Sequence, residues 1–267
     1  MGTLIQLYGF VQYDGTEFRF PGNGLFLIPY QNIACLARRV PEEEFGEGAL
    51  EERLKDTEWL KGQLMEQEEA LERVMKACTV VPLKWGALFR TEEAVQGMLK
   101  ERYDTIRGLL EKLKGREEWT VRATVDRGKL QEVAGAEDRE IQRLQATIER
   151  MPSGTAYLLN ERLKLLKEEA VQRATGEVIQ EIYAQIMIHA EASATAEPVR
   201  GAADPEDKDL VFQMAFLVPK ERMSGFTQAV LKEARRRHAQ GFEVQQVGPF
   251  PPYYFCNLEL KECPAHE

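Results

Sequence analysis

At the start of the chain, runs of apolar, strand-forming residues are separated by clusters of turn-forming residues. This pattern predicts three strands. Runs of strand-forming residues extend from Leu4 to Val11, from Gly24 to Pro29 and from Ile33 to Val40, and such runs favour β-structure. Clusters of Gly, Asp and Asn separate these runs at Asp14-Gly15 and Gly22-Asn23-Gly24, as residues that favour turns do. We therefore expect three short strands before the first helix.

The pattern then changes to the spacing of an amphipathic helix. Apolar residues recur at helical intervals up to Met75, with Glu and Lys between them. The stretch from Thr79 to Phe89 returns to strand composition, and Pro82 within it indicates an edge strand or a bulge. A second helix is expected from Thr91 to Lys114, ended by Gly115 as its C-cap.

The second half of the chain alternates strand and helix patterns. The clearest strand runs from Glu118 to Asp126, where apolar residues alternate strictly with polar ones. A charged stretch over 127–150, expected to be helical in its second half, follows it. The remaining order is βαββαβ, which is the split βαβ, ferredoxin-like plan. The elements of that plan are a strand over 118–126, a helix over 155–192, a short strand within 194–208, a strand over 210–218, a helix over 220–239 and a strand over 242–248.

The helix over 155–192 is the longest expected element. Ser153, in the break Pro152-Ser153-Gly154, is a suitable N-cap for it. A helix of this length commonly packs as an antiparallel hairpin or a coiled-coil-like arm. We therefore predict an α+β fold with an N-terminal α+β domain over 1–116, a modified ferredoxin-like domain over 117–258 that carries this long helix, and a tail over 259–267.

Composition and charge narrow the class of protein. The net charge is -9, from 35 basic and 44 acidic residues, and the two signs are interleaved, so no basic surface for nucleic acid is expected. No apolar run has the length of a membrane span, and Met1 leads into a strand pattern without a basic region, so we expect neither a lipid membrane contact nor a signal peptide. We infer a cytosolic protein with reduced thiols.

Signatures of catalysis, metal binding and cofactor binding are missing from the sequence. It contains no GxGxxG, GxxxxGK[ST], HExxH or GxSxG motif. Three histidines are present, His189, His238 and His266, and none is flanked by a nucleophile or a ligand set. The basic run from Arg235 to His238 could touch an anion, but complementing the dipole at a helix C-terminus is the simpler interpretation. We expect no enzyme activity, cofactor or metal, and the scattered cysteines Cys35, Cys78, Cys256 and Cys263 give no zinc-site spacing.

The segment Gly248-Pro249-Phe250-Pro251-Pro252-Tyr253-Tyr254-Phe255 combines three prolines with four aromatic residues. Proline removes a backbone donor, so this segment cannot lie inside a helix or a central strand. Its aromatic side chains either pack onto the protein's own core or dock onto a partner. Inward packing is favoured, because large aromatic residues dominate core energetics.

Five stretches resemble, in order and spacing, the gas vesicle protein F/L family. The resemblance covers the chain from Tyr8 to Phe255, with Lys84-Trp85 standing where the family has arginine and phenylalanine, and Phe250 where it often has tryptophan. The stretches are Val81 to Phe89, Gly115 to Arg122, Gly154 to Leu158, Met214 to Val218 and Gly248 to Phe255. The residues we expect to be structural or partner-binding are Pro82, Trp85, Gly86, Phe89, Trp119, Tyr157, Gly248, Pro249, Pro251, Pro252, Tyr253 and Phe255.

The resemblance implies an accessory or minor structural protein of gas vesicles, the hollow protein shells that give aquatic microbes buoyancy. It implies binding to the small hydrophobic shell protein and to other accessory proteins, location at the gas vesicle in the cytoplasm, and no catalysis. One alternative is a stoichiometric structural component of the vesicle surface. Another is a small-molecule enzyme or sensor on a ferredoxin-like scaffold, since that fold hosts many functions; a deep polar pocket with convergent titratable groups would favour it.

Overall fold

The chain forms two compact units, each with its own antiparallel sheet. The structure, a computed structural model, describes residues 2–15, 24–152, 156–197, 208–256 and 258. One unit comprises the chain up to Glu118 together with the segment from Phe250, and the other comprises Trp119–Pro249. Both sequence halves therefore mix helices and strands, as an α+β fold requires.

The sheet of the first unit is built around its first strand. Its strands follow the order β2-β3-β1-β4, and β5 also pairs with β1. Every residue of β1 from Leu4 to Val11 is buried, because the strand is covered on both faces. A Cβ on Gly9 would lie 2.7 Å from the Val81 carbonyl oxygen, so the close pairing of β1 with β4 requires glycine there. The strands are β1 (Thr3–Gln12), β2 (Leu25–Tyr30), β3 (Ile33–Pro41), β4 (Val80–Pro82) and β5 (Leu88–Phe89).

The helices of the first unit are shorter and more numerous than the sequence pattern predicted. The first predicted helix is divided by Gly46, which is extended, and by Asp56, whose side chain accepts from the backbone N–H groups of Glu58 and Trp59. The second is divided at Arg102. Among the described residues of this unit, the helices are α1 (Glu42–Phe45), α2 (Glu47–Arg53), α3 (Thr57–Met75), α4 (Glu92–Glu101) and α5 (Tyr103–Leu113).

The second unit follows the predicted order of strands and helices. Its strands lie in the order β7-β8-β6-β9, which places β6 beside β8 in one sheet. Residues 127–150 form two helices, so the stretch is helical in both halves. The elements are β6 (Arg116–Val125), α6 (Arg127–Glu137), α7 (Arg139–Ile148), α8 (Tyr157–Met187), β7 (Ala192–Thr195), β8 (Asp209–Pro219), α9 (Met223–His238) and β9 (Phe242–Phe250), with a 3-10 turn at Lys220–Arg222. A second 3-10 turn, Tyr253–Phe255, lies in the C-terminal part of the first unit.

The long helix α8 packs against the rest of the second unit at two places along its length. Its C-terminal half buries Val178, Ile182 and Ile186 in the core of the second unit. Its N-terminal half packs Leu166 and Ala170 against Ile141 of α7. The helix ends at Met187 and not at residue 192, because residues from Ala192 pair with β8 as β7. The predicted cap Ser153 lies outside the described residues, and the helix begins after Ala156 without a side-chain cap.

The C-terminal segment, residues 250–256, belongs to the first unit and not to the second. The sequence pattern divided the chain between residues 116 and 117 and kept everything up to residue 258 in the second domain. The segment instead bonds to Glu68, Lys112 and Glu118, all of the first unit. The predicted tail over 259–267 lies outside the described residues.

Candidate interaction surfaces

The C-terminal segment packs mainly inward. Pro251, Pro252 and Phe255 are buried, and Tyr254 is 41% exposed. Tyr253 packs against an apolar cluster that β1, β3, β4 and α3 form together. Apart from Tyr254, the segment therefore offers little surface to a partner.

Hydrogen bonds to the first unit hold this segment in place. The Tyr253 hydroxyl donates to Glu68 Oε2 at 3.3 Å, and the Tyr254 backbone N–H donates to Glu118 Oε2 at 3.1 Å. The Lys112 ammonium donates to the Phe255 carbonyl oxygen at 3.3 Å. Because these partners lie on α3, β6 and α5, the segment is fixed by three separate elements.

Two of these partners are carboxyl groups in an environment that disfavours charge. Glu118 is 1% exposed, and burial raises its pKa to about 8, an effect that Glu68 reinforces and the Tyr254 N–H opposes. Burial also raises the pKa of Glu68, with a further contribution from Glu72, and the Tyr253 hydroxyl opposes it. Sequence reasoning missed Glu118 because its partner lies 136 residues away. The position carried no local signal beyond the start of a strand.

Trp85 lies in an aromatic cluster with Phe45 and Trp59. The ring centroids of Trp59 and Trp85 are 6.0 Å apart and nearly perpendicular, and those of Phe45 and Trp59 are 5.5 Å apart. Trp85 is half-buried, and its Nε1 is enclosed without a hydrogen-bond acceptor. The cluster therefore joins α1, α3 and the loop after β4 mainly by apolar contact.

Backbone conformation and burial account for the residue types near Trp85 in the family motif. Gly86 has φ of 104° and free space where a Cβ would be, so its conformation and not crowding requires glycine. Pro82 ends β4 and Phe89 ends β5, and both are buried. This stretch is thus a turn that connects two strands of the first sheet.

The family-motif residues of the second unit are not gathered at one place. Trp119 is half-buried against the core of that unit, whereas Tyr157 is 68% exposed. Gly248 and Pro249 are joined by a cis peptide and are exposed within β9, the outer strand of its sheet. The strand therefore continues through the proline to Phe250, as an edge position allows.

An exposed apolar face lies on the N-terminal half of α8. We define the α8 apolar face as Tyr157, Leu158 and Leu165, whose side chains are 68%, 76% and 51% exposed. Leu158 and Leu165 are seven residues apart and so lie on the same side of the helix. A smaller pair on α3, Leu64 and Met65, is 46% and 54% exposed. Exposed apolar side chains that lie together are typical of a contact surface for another molecule.

The basic run at the end of α9 is engaged in ion pairs within the second unit. Arg236 Nη2 lies 3.0 Å from Glu181 Oε2, and Arg237 also pairs with Glu181. Arg237 Nε lies 3.4 Å from Glu233 Oε2. These two arginines therefore balance carboxylates of α8 and α9 and do not form a free anion-binding patch.

A polar cleft of about 420 Å³ lies beside the N-terminus of α4. Its two arginines are already paired, Arg39 with Glu92 at 2.5 Å and Arg90 with Glu42 at 3.2 Å. The Thr91 hydroxyl accepts from the Ala94 N–H as the helix cap. The cleft's polar groups thus serve the fold itself.

Metal-binding clusters and membrane-spanning helices are both missing from the residues that the structure describes. Within them, no group of three or more His, Cys, Asp or Glu side chains is arranged to hold a metal ion. In the same ranges, every helix is too short or too polar to span a lipid bilayer.

Comparison with known protein families gives one match over nearly the whole chain. Residues 5–257 match the family model described as gas vesicle synthesis protein GvpL/GvpF. The chain is 22% identical over 241 residues to gas vesicle protein L of Streptomyces sp. (strain CB03234), covering 90% of this chain and 85% of that protein. It is 27% identical over 192 residues to gas vesicle protein F of the same strain, covering 72% and 76%.

Solved structures show the same fold. The crystal structure of gas vesicle protein GvpF from Anabaena sp. PCC7120 superimposes with a TM-score of 0.72 at 18% identity, covering 97% of this chain and 100% of that one. The crystal structure of GvpF from Microcystis aeruginosa gives a TM-score of 0.63 at 18% identity, covering 96% and 99%. The similarity thus extends over both units.

Proposed function

The chain belongs to the gas vesicle GvpL/GvpF family, and we propose that it is an accessory or minor structural protein that supports gas vesicle assembly. The observation that carries this proposal is the family match over residues 5–257. We place the protein at the gas vesicle in the cytoplasm, with the shell protein and other gas vesicle accessory proteins as its partners.

The mechanism we propose addresses a physical problem of assembly. An extremely apolar shell subunit must be kept from misassociating until it is added to the growing shell, because exposed apolar surface drives aggregation. The α8 apolar face could cover such a subunit, while the net charge of -9 keeps the carrier soluble. The chain would then hold a subunit and release it to the shell.

A co-precipitation experiment tests this proposal. Tagged full-length chain is co-expressed with the shell protein and captured at moderate and at high salt. We expect the shell protein to be retained at both, because an apolar contact survives the screening that abolishes a charge-driven one. Absence of the shell protein from both captures would contradict the proposed binding.

The main alternative is a stoichiometric structural component of the vesicle surface. Washing purified vesicles with urea distinguishes the two roles. A permanent component should remain on the shell after the wash, whereas an assembly factor that hands over subunits should be removed. We expect removal.

We also propose finer features of the fold that support this role. In the second unit β6 is followed by the three helices α6, α7 and α8 and then by β7, β8, α9 and β9, and the strand order is β7-β8-β6-β9. With the three helices taken as one connection, this arrangement supports a modified ferredoxin-like domain. In this proposal the N-terminal half of α8, packed on α7, is a helical arm that presents the α8 apolar face. A coiled coil with a partner's helix would use the same face.

We propose no catalytic turnover and assign structural roles to most family-motif residues. The pairing of the arginines in the polar cleft supports the absence of catalysis, because those groups are not free to act on a substrate.

We assign Tyr157 to partner binding, since it is exposed. The residues to which we assign structural roles are Pro82, Trp85, Gly86, Phe89, Trp119, Gly248, Pro249, Pro251, Pro252, Tyr253 and Phe255.

A further inference from the structure

The C-terminal segment is held against the first unit by a carboxyl group that is almost fully enclosed. Glu118 is 1% exposed and accepts the backbone N–H of Tyr254 at 3.1 Å. A buried carboxyl group without a cationic partner is more stable in its neutral form, because ionisation there would create a charge that water cannot solvate. Closure of the segment over Glu118 therefore favours a bound proton.

Of the charged groups around Glu118, the carboxylate of Glu68 reinforces this preference. Glu68 and Glu72 of α3 add negative charge to the same region. Tyr253 and Cys256 of the segment are neutral acids whose own pKa values burial raises. On α5, Lys112 is exposed and donates to the Phe255 carbonyl oxygen. On the strand of Glu118 itself, Arg116 donates to the Lys114 carbonyl oxygen, and Glu117 is a further carboxylate.

We propose that the C-terminal segment is a pH-sensitive latch on the first unit, which is held closed while Glu118 is protonated and loosens as rising pH favours the ionised carboxylate. Opening gives Glu118 access to water, so ionisation stabilises the open form. It would also lift Tyr253 from the apolar cluster that includes Tyr8 and Leu71. This inference does not depend on the gas vesicle role.

The direction of the effect follows from the two pKa values. The pKa of Glu118 is about 8 in the closed form, against 4.5 for a glutamate side chain exposed to water. Between these values the closed form binds a proton that the open form has lost, so opening becomes more favourable with each pH unit. Above the closed-form pKa both forms are ionised, and the effect levels off.

Amide hydrogen exchange of the full-length chain tests the latch directly. The readout is the protection of peptides covering residues 250–256, corrected for the intrinsic exchange rate at each pH. We expect protection to fall about tenfold or more between about pH 5.5 and about pH 8.5. Peptides from β1 should keep their protection, because the opening is local.

Three variants make the test specific. Glu118→Gln keeps an acceptor for the Tyr254 N–H but cannot ionise, so it should abolish the pH dependence. Glu117→Gln removes the same charge one residue earlier and should leave the dependence as in wild type. Glu68→Gln removes the neighbouring charge that raises the Glu118 pKa, so the loss of protection should level off at a lower pH; this variant tests the latch even if Glu118→Gln does not fold.

The proposal is overturned by any of three results. The first is equal protection of the segment at both pH values. The second is a wild-type pH dependence in Glu118→Gln. The third is a loss of protection in β1 that parallels the loss in the segment, which would indicate destabilisation of the whole unit and no latch.

Discussion

Glu118 illustrates how one enclosed side chain can make stability depend on pH. Its pKa is about 8 in the folded chain, so its contribution to stability is fully present below the unfolded pKa and is lost as the pH rises toward 8. The largest slope that one such group can give is about 1.4 kcal/mol per pH unit. The stability of the first unit should therefore decrease over this range.

We predict that Glu118→Gln stabilises the protein at alkaline pH relative to wild type. At about pH 5 the two proteins should melt at similar temperatures, because the wild-type carboxyl group is then neutral. At about pH 8 the variant should melt at the higher temperature. Thermal melting across this range is the measurement, and equal pH profiles of the two proteins would refute the prediction.

A second prediction at the residue scale concerns Trp85. Truncating a buried tryptophan costs about 3 to 5 kcal/mol, so about 2 to 3 kcal/mol is expected for Trp85→Ala, because the ring is half-buried. Trp85→Phe, which keeps the packing against Trp59 and Phe45, is the matched control and should melt near wild type. An unchanged melting temperature of Trp85→Ala with lost partner binding would instead make Trp85 an interaction residue.

Sequence reasoning missed some side-chain contacts for a physical reason. The burial of Glu118 was not predictable, since it depends on a segment 136 residues further along the chain. Contacts over such distances leave no periodic signal in the sequence.

At the scale of elements, runs of strand-forming residues predicted strands better than helical spacing predicted helix ends. The alternating run that starts at Glu118 is the strand β6, and the run from Leu210 lies within β8. The long helical patterns, by contrast, gave no indication that the helices are interrupted at Gly46, Asp56 and Arg102. Helical periodicity continues across a short break, whereas a cap or an extended residue decides where each helix ends.

The α8 apolar face gives a prediction at this scale. Leu158→Lys with Leu165→Lys should reduce co-precipitation of the shell protein by about tenfold or more, because charged side chains would enter an apolar contact. Leu64→Lys with Met65→Lys, on the exposed pair of α3, is the matched control and should bind as wild type. Both variants replace exposed residues, so circular dichroism should show that both remain folded.

Other results of this experiment would contradict binding at the α8 apolar face. If the α3 variant loses the shell protein and the α8 variant keeps it, the partner binds the first unit. If neither variant changes the capture, the apolar faces are not the site of binding.

At the scale of the whole molecule, the unit boundaries were only partly predictable. The sequence pattern changes near residue 116. This is close to Glu118, where the first of the two stretches that form the first unit ends. The return of the C-terminal segment to the first unit could not be predicted, because in sequence it directly follows β9 of the second unit. In the structure the segment instead bonds to Glu68, Lys112 and Glu118 of the first unit.

Gas vesicle formation in cells that lack this gene tests the proposed function most directly. Vesicles are counted by electron microscopy in the deletion strain, in the strain complemented with the wild-type gene and in one complemented with the Leu158→Lys, Leu165→Lys variant. We predict few or malformed vesicles in the deletion strain, recovery with the wild-type gene and poor recovery with the variant. Normal vesicles in the deletion strain would contradict the proposal that this chain supports their assembly.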